Sequence, residues 1–107
     1  MTRTVVFSLR AERQMREMFR YLSHEASSGV AQRQLSKISR FCYFLAQFPH
    51  RGILLGDLAP DLHVITYSRT ITLAYIVAQD AVVIIGIYTN GQNYLAELAE
   101  GVDPAPE

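Results

Sequence analysis

The chain has 107 residues, half of them apolar and about a fifth charged, an ordinary composition for one compact domain with one modest core. A lone cysteine, Cys42, excludes an internal disulfide framework and a cysteine-based zinc site. Net charge is zero but unevenly spread: residues 1–51 carry nine basic and three acidic residues, a balance of +6, whereas residues 52–107 carry seven acidic residues and one basic residue, Arg69, a balance of −6.

No signal peptide is visible, and the longest apolar run, residues 81–88, is far short of a membrane span. A soluble protein in a reducing cytoplasm is the expectation. The histidines His24, His50 and His63 are scattered without ligand spacing, so neither a metal nor an organic cofactor is expected.

Residues 3–8 read as a strand with Val5 and Phe7 on one face. Ser8 is a suitable N-cap for a helix beginning near Leu9. Ala11, Met15, Met18, Phe19, Leu22 and Ala26 then recur at helical spacing and form one stripe. Arg10, Arg13, Arg16, Glu17, Arg20 and His24 lie opposite, with Glu17 placed to pair with Arg13 or Arg20. Ser27, Ser28 and Gly29 read as the break before a second helix over residues 30–48. Its core stripe is Ala31, Leu35, Ile38, Cys42 and Leu45, widened by Phe41 and Phe48, with Arg33, Lys37 and Arg40 opposite. The short break folds the two helices into a hairpin. Tyr43 and Phe44 fall outside the core stripe, as a partner surface or as cover for the edge of the core. Cys42 reads as a packing thiol.

Pro49, Gly52, Gly56 and Pro60 punctuate a linker, after which the period changes to that of strands. Residues 62–67, 70–78 and 81–88 are β-branched or aromatic runs separated by two-residue breaks, an antiparallel meander. The last run is apolar on both faces and so should be central. Asn90-Gly91 reads as a turn, residues 92–100 as a short helix with Tyr94, Leu95 and Leu98 as apolar contacts, and residues 101–107 as a flexible acidic, proline-containing tail. The predicted order β-α-α-β-β-β-α gives a single α+β domain over residues 1–100, with one sheet packed against a helical hairpin.

Several local features resemble the RelE/ParE toxin family. Val6-Phe7-Ser8 followed by Ala11 resembles its first strand and helix start. Leu45, Phe48-Pro49 and Gly52 resemble its leucine, phenylalanine-proline, glycine signature. Asp57-Leu58 and Asp61-Leu62 resemble its loop into the second strand, and Arg69, Ile71, Tyr75 and residues 82–87 its third and fourth strands. Two positions depart from the family pattern: His63 stands where an arginine is common, and residues 88–93 keep the glycine of the family's terminal motif but lack its basic residues.

The resemblance implies a type II toxin held inactive by a small DNA-binding antitoxin, whose C-terminal segment folds on binding. It is closest to ParE-like members, which inhibit DNA gyrase by stabilising a cleaved-DNA complex and need no catalytic set of their own. On that reading the chain makes a hetero-oligomer with its antitoxin and does not itself read DNA sequence. His63, Arg69, Asn90, Gln92 and Tyr94 are expected to bind the target, with residues 90–98 needed for toxicity. Met15, Phe19, Tyr43, Phe44 and Tyr75 are expected to bind the antitoxin.

Two alternatives stand beside this. RelE-like members cut messenger RNA on the ribosome, which calls for a base, a cation and an acid around the ribose and phosphate. Here only His63, Arg69 and Tyr88 could supply them, in an acidic half unsuited to ribosomal RNA. A non-toxic antitoxin-binding module is the other. The plain structural readings are an edge position for His63, a solvated turn for Arg69 and sheet packing for Tyr67, Tyr75 and Tyr88.

Overall fold

A computed structural model describes residues 3–89 and 92–101. Asn90, Gly91 and the tail residues 102–107 lie outside the described residues, and with them the expected turn and tail. The described chain runs β1 (Thr4–Phe7), α1 (Leu9–Glu25), α2 (Ser28–Gln47), a 3₁₀ turn (Pro49–Arg51), β2 (Ile53–Leu54), β3 (Leu62–Tyr67), β4 (Ile71–Val77), β5 (Ala81–Thr89) and α3 (Tyr94–Glu100). The architecture is α+β, as the sequence pattern predicts.

The N-cap of α1 is Ser8, whose buried hydroxyl oxygen accepts from the Ala11 amide at 3.1 Å and also donates to the Ile85 carbonyl at 3.3 Å. One side chain therefore starts the helix and ties it to the last strand. The break between helices is shorter than predicted. Ser27 caps α2 by accepting from the Val30 amide, so Ser28 and Gly29 belong to its first turn.

One five-stranded sheet has the order β1-β5-β4-β3-β2. The meander β3-β4-β5 is antiparallel, and β1 joins β5 in parallel, with Val5 opposite Val82 and Phe7 opposite Ile84. The linker contains a strand that the sequence does not announce. Ile53 and Leu54 pair with Val64 and His63 at the sheet edge, but two residues are too few to display alternation.

The register of β4 and β5 slips once. Ala74 lies opposite Gly86 and Tyr75 opposite Ile84, leaving Ile85 as the extra residue. This bulge resets the alternation of β5. Val82, Ile84 and Ile87 face the helices, while Ile85 and Tyr88 face away.

Both faces of the sheet are covered. On one, Ala11, Ile38, Cys42 and Leu45 pack against Ile71, Leu73, Tyr75, Val82, Ile84 and Ile87. On the other, Leu62, Val64, Ala74, Ile85 and Tyr88 pack with Leu98 of α3 and are flanked by Leu55 and Ala59. Each fully buried aliphatic side chain contributes about 1.5–3 kcal/mol relative to exposure. The stripe of α1 is covered only on one flank: Ala11 is buried, Met15 and Met18 are partly buried, and Phe19 and Ala26 are exposed.

Candidate functional site

The outer face of the hairpin carries a shallow groove of about 500 Å3 between α1 and α2. Met15 and Phe19 of α1 line one side, and Leu35, Arg40 and Tyr43 of α2 the other. A neighbouring hollow shares Arg40 with Arg33 and Lys37. These three cations sit at i, i+4 and i+7 of α2, so they line one edge. The groove is apolar along its floor and basic along its rim. It gathers Met15, Phe19 and Tyr43, three of the residues expected to bind an antitoxin.

Beyond the groove, α2 ends in an aromatic ladder. Phe41 and Phe44 stack at 5.7 Å between ring centroids, and tilted pairs follow, Phe44 with Phe48 at 5.1 Å and Phe41 with Tyr67 at 4.7 Å. The Arg51 guanidinium lies 5.3 Å from the Phe44 ring centre and 5.6 Å from that of Phe48, within cation–π range. Ile53 and Leu54 of β2 are exposed, as are Phe48 and Tyr43. Arg51 was not among the sequence candidates, because its place over two rings depends on the 3₁₀ turn that follows α2.

Tyr75 has a different position from the one expected of a docking residue. It is fully buried, and its hydroxyl donates to the Pro49 carbonyl at 2.8 Å and accepts from the Gly52 amide at 3.0 Å. It clamps the 3₁₀ turn to the sheet and offers no surface. Burial pushes its hydroxyl pKa up, and the Gly52 hydrogen bond opposes that in part.

His63 is not an edge residue. It is buried with its ring stacked on Tyr75 at 5.4 Å and beside His50 at 5.5 Å, and its Nδ1 bonds the Asp61 carbonyl at 2.9 Å. Burial pushes the Cys42 thiol up to about 12, which suits a packing thiol and not a nucleophile.

The nuclease candidates do not converge. His63 lies on the helix face of the sheet with Tyr75, whereas Tyr88 belongs to the opposite face with Leu98 and Tyr94. Arg69 is exposed in the turn between β3 and β4, at the other end of β3 from His63. The Tyr88 hydroxyl is buried and makes no hydrogen bond of good geometry among the described residues. Its pKa is raised, first by burial and then by Glu97, against the lowering influence of Arg10 and Gln14. Arg10 bridges to Glu97 at 3.5 Å, joining α1 to α3. The pairing expected of Glu17 with Arg13 or Arg20 is not formed among the described residues; Arg16 pairs with Glu12 instead.

The target-binding candidates are also dispersed. Arg69 and Gln92 share the end of the sheet where Ile71 pairs with Thr89. Gln92 is occupied there: its Oε1 accepts from the Thr89 amide at 2.6 Å and its hydroxyl at 3.2 Å. Tyr94 packs beside Tyr88, and Asn90 lies outside the described residues.

A strand, a two-helix hairpin, an antiparallel meander and a closing helix define the class: a small α+β domain with one five-stranded sheet covered on both faces. The model of the family described as "ParE toxin of type II toxin-antitoxin system, parDE" matches residues 5–94, and the chain belongs to that family. Among solved structures, a chain of the "Chromosomal ParDE TA system from P. aeruginosa" is similar, with a TM-score of 0.70 at 13% identity. The match covers 83% of this chain and 97% of that one, a likeness of fold. No curated protein sequence matches.

Proposed function

We propose that this chain inhibits DNA gyrase by stabilising its cleaved-DNA complex, and that a cognate antitoxin neutralises it. The observation that carries this is the separation of His63 and Tyr88 onto opposite faces of the sheet, both buried, with Arg69 remote from His63. General acid–base cleavage of RNA requires such groups within hydrogen-bond reach of one substrate. A gyrase inhibitor that works by binding requires none of this.

The antitoxin's place in this reading is the hairpin groove. Met15, Phe19, Leu35 and Tyr43 suit the apolar side of an amphipathic segment, and Arg33, Lys37 and Arg40 suit acidic residues beside it. Phe44, under Arg51, continues the surface toward β2.

A supercoiling assay with purified gyrase tests the reading. Inhibition with trapped cleaved DNA, relieved by the antitoxin, is the expected result. Silence at large excess, with cleavage of messenger RNA on translating ribosomes, would replace it with the nuclease reading. Silence in both assays, with the antitoxin still bound, would make the chain a non-toxic binding module.

A further inference from the structure

The last strand outruns its neighbour. β1 pairs with residues 81–84 of β5, and from Ile85 to Thr89 that edge has no strand beside it among the described residues. Side chains stand in for a strand there. The Ser8 hydroxyl donates to the Ile85 carbonyl, the Ile87 amide donates to Gln14 Oε1 at 2.7 Å, and the Thr89 amide donates to Gln92 Oε1 at 2.6 Å. Ile87 and Thr89 are two residues apart, so their amides are spaced as a partner strand would meet them, about 6.6 Å along the chain.

Beside this edge, the tip of the hairpin overhangs the end of the sheet and leaves a cleft of about 560 Å3. Met18, Leu22, Val30, Ile71 and Ile87 give it an apolar wall. Its rim is made of carboxamides and hydroxyls, and its one charged residue is Glu17, which makes no ion pair among the described residues. The negative rim disfavours anions and complements a cation. The cleft lies on the other flank of α1 from the basic groove, and its chemistry is opposite.

We propose that this edge and cleft dock an extended segment of a partner polypeptide. The segment adds a strand to β5, displaces the two glutamine carboxamides, seats an apolar side chain against Met18, Leu22 and Ile87, and sets a lysine or arginine against Glu17. Carboxamides mimic the peptide group, so they satisfy the edge when it is empty and yield to a real strand without leaving an unpaired amide. The site does not depend on the gyrase reading.

Panning a phage-displayed library of random heptapeptides against the full chain, followed by fluorescence-polarisation titration of the enriched peptides, tests this. Enriched peptides should combine an apolar residue with a nearby cation. Thr89→Pro removes the edge donor at a position whose amide faces away from β4, and it should weaken binding about tenfold, the loss of one strand hydrogen bond. Gln14→Ala with Gln92→Ala removes the competing caps and should tighten binding several-fold, a sign that a merely structural role for those residues would not give. Glu17→Gln should weaken the cationic peptides. Failure to enrich any peptide, undiminished binding to Thr89→Pro, or weaker binding to the double glutamine variant would each overturn the proposal.

Discussion

The hydroxyl of Tyr75 donates to the carbonyl of Pro49 across 2.8 Å, from the middle of the sheet to the turn that ends the hairpin. The same oxygen accepts from the Gly52 amide, so one phenol holds both ends of the turn. A Cβ at position 52 would sit 2.7 Å from that oxygen and 2.6 Å from the Val64 carbonyl, so the turn is closed around a glycine. Tyr75→Phe keeps the ring and removes both bonds. It should cost about 1–3 kcal/mol, read as a lower urea midpoint with an unchanged slope. An unchanged midpoint would mean that the turn is held by packing alone.

Gly86 makes room for Tyr88. A Cβ at position 86 would lie 2.5 Å from the Tyr88 ring edge and hydroxyl. That ring is buried between the sheet and α3, so it has little room to retreat. Gly86→Ala should cost about 1–3 kcal/mol by overpacking. In a double-mutant cycle with Tyr88→Leu, the penalty should shrink, because the obstructing ring is gone. Equal penalties in both backgrounds would count against this contact.

Ser68 and Arg69 both occupy the left-handed region, with φ of 55° and 68°. This costs a non-glycine residue about 1–2 kcal/mol. Arg69→Gly relieves that strain, offset in part by greater freedom of the unfolded chain. Thermal stability should hold or rise by up to about 1 kcal/mol. Because the fold does not need the guanidinium, any loss of the proposed gyrase inhibition in this variant reports on target recognition and not on folding.

Alkaline pH should destabilise the protein. The Cys42 thiol is pushed up to about 12 by burial, and the hydroxyls of Tyr75 and Tyr88 are also raised. In the unfolded chain a thiol ionises near pH 8.5, whereas the folded chain keeps its proton well above that. The folded state therefore binds more protons over this interval, and stability falls as pH rises from about 9 toward 12, by up to about 1.4 kcal/mol per pH unit for the thiol. Cys42→Ala should lower stability at pH 7 through the cavity it leaves, yet flatten the alkaline decline. Parallel decline in both proteins would assign the effect to the tyrosines.

Reversing Arg33, Lys37 and Arg40 to glutamate converts the rim of the hairpin groove from basic to acidic. Isothermal titration with the antitoxin should show binding weakened at least tenfold in low salt, with the gap to wild type narrowing as salt screens the rim. A salt-independent loss would point to damage of the helix itself, which circular dichroism would reveal.

Local rules reached the elements but not the sites. The helical stripe, the Ser8 cap and the three β-rich runs were legible because each is written within a few neighbouring residues. β2 was not, because a two-residue strand carries no period. The bulge at Ile85 is set by pairing with β4, so the placing of Ile84 and Ile87, three residues apart, on one face has no local signature. His63 and Tyr75 read as target-binding and antitoxin-binding residues, yet both are buried beside the 3₁₀ turn. Gln14 and Gln92 drew attention neither as a pair nor as strand caps, because they meet only when residues 14, 87, 89 and 92 converge. The family signature around Leu45, Phe48-Pro49 and Gly52 was legible as sequence, and its structural content is the clamp that Tyr75 closes.

The parallel pairing of Thr4 with Ala81 and Phe7 with Ile84 joins nearly opposite ends of the chain. During synthesis the first strand leaves the ribosome long before β5, the strand it pairs with, while the hairpin and the meander need only local contacts. The backbone of β1 therefore waits unpaired until β5 emerges, and Ser8 cannot reach Ile85 before then. The sheet is completed by the last strand made, so a nascent chain stopped short of residue 81 contains the two hairpin helices and two strands of the meander but cannot close the sheet.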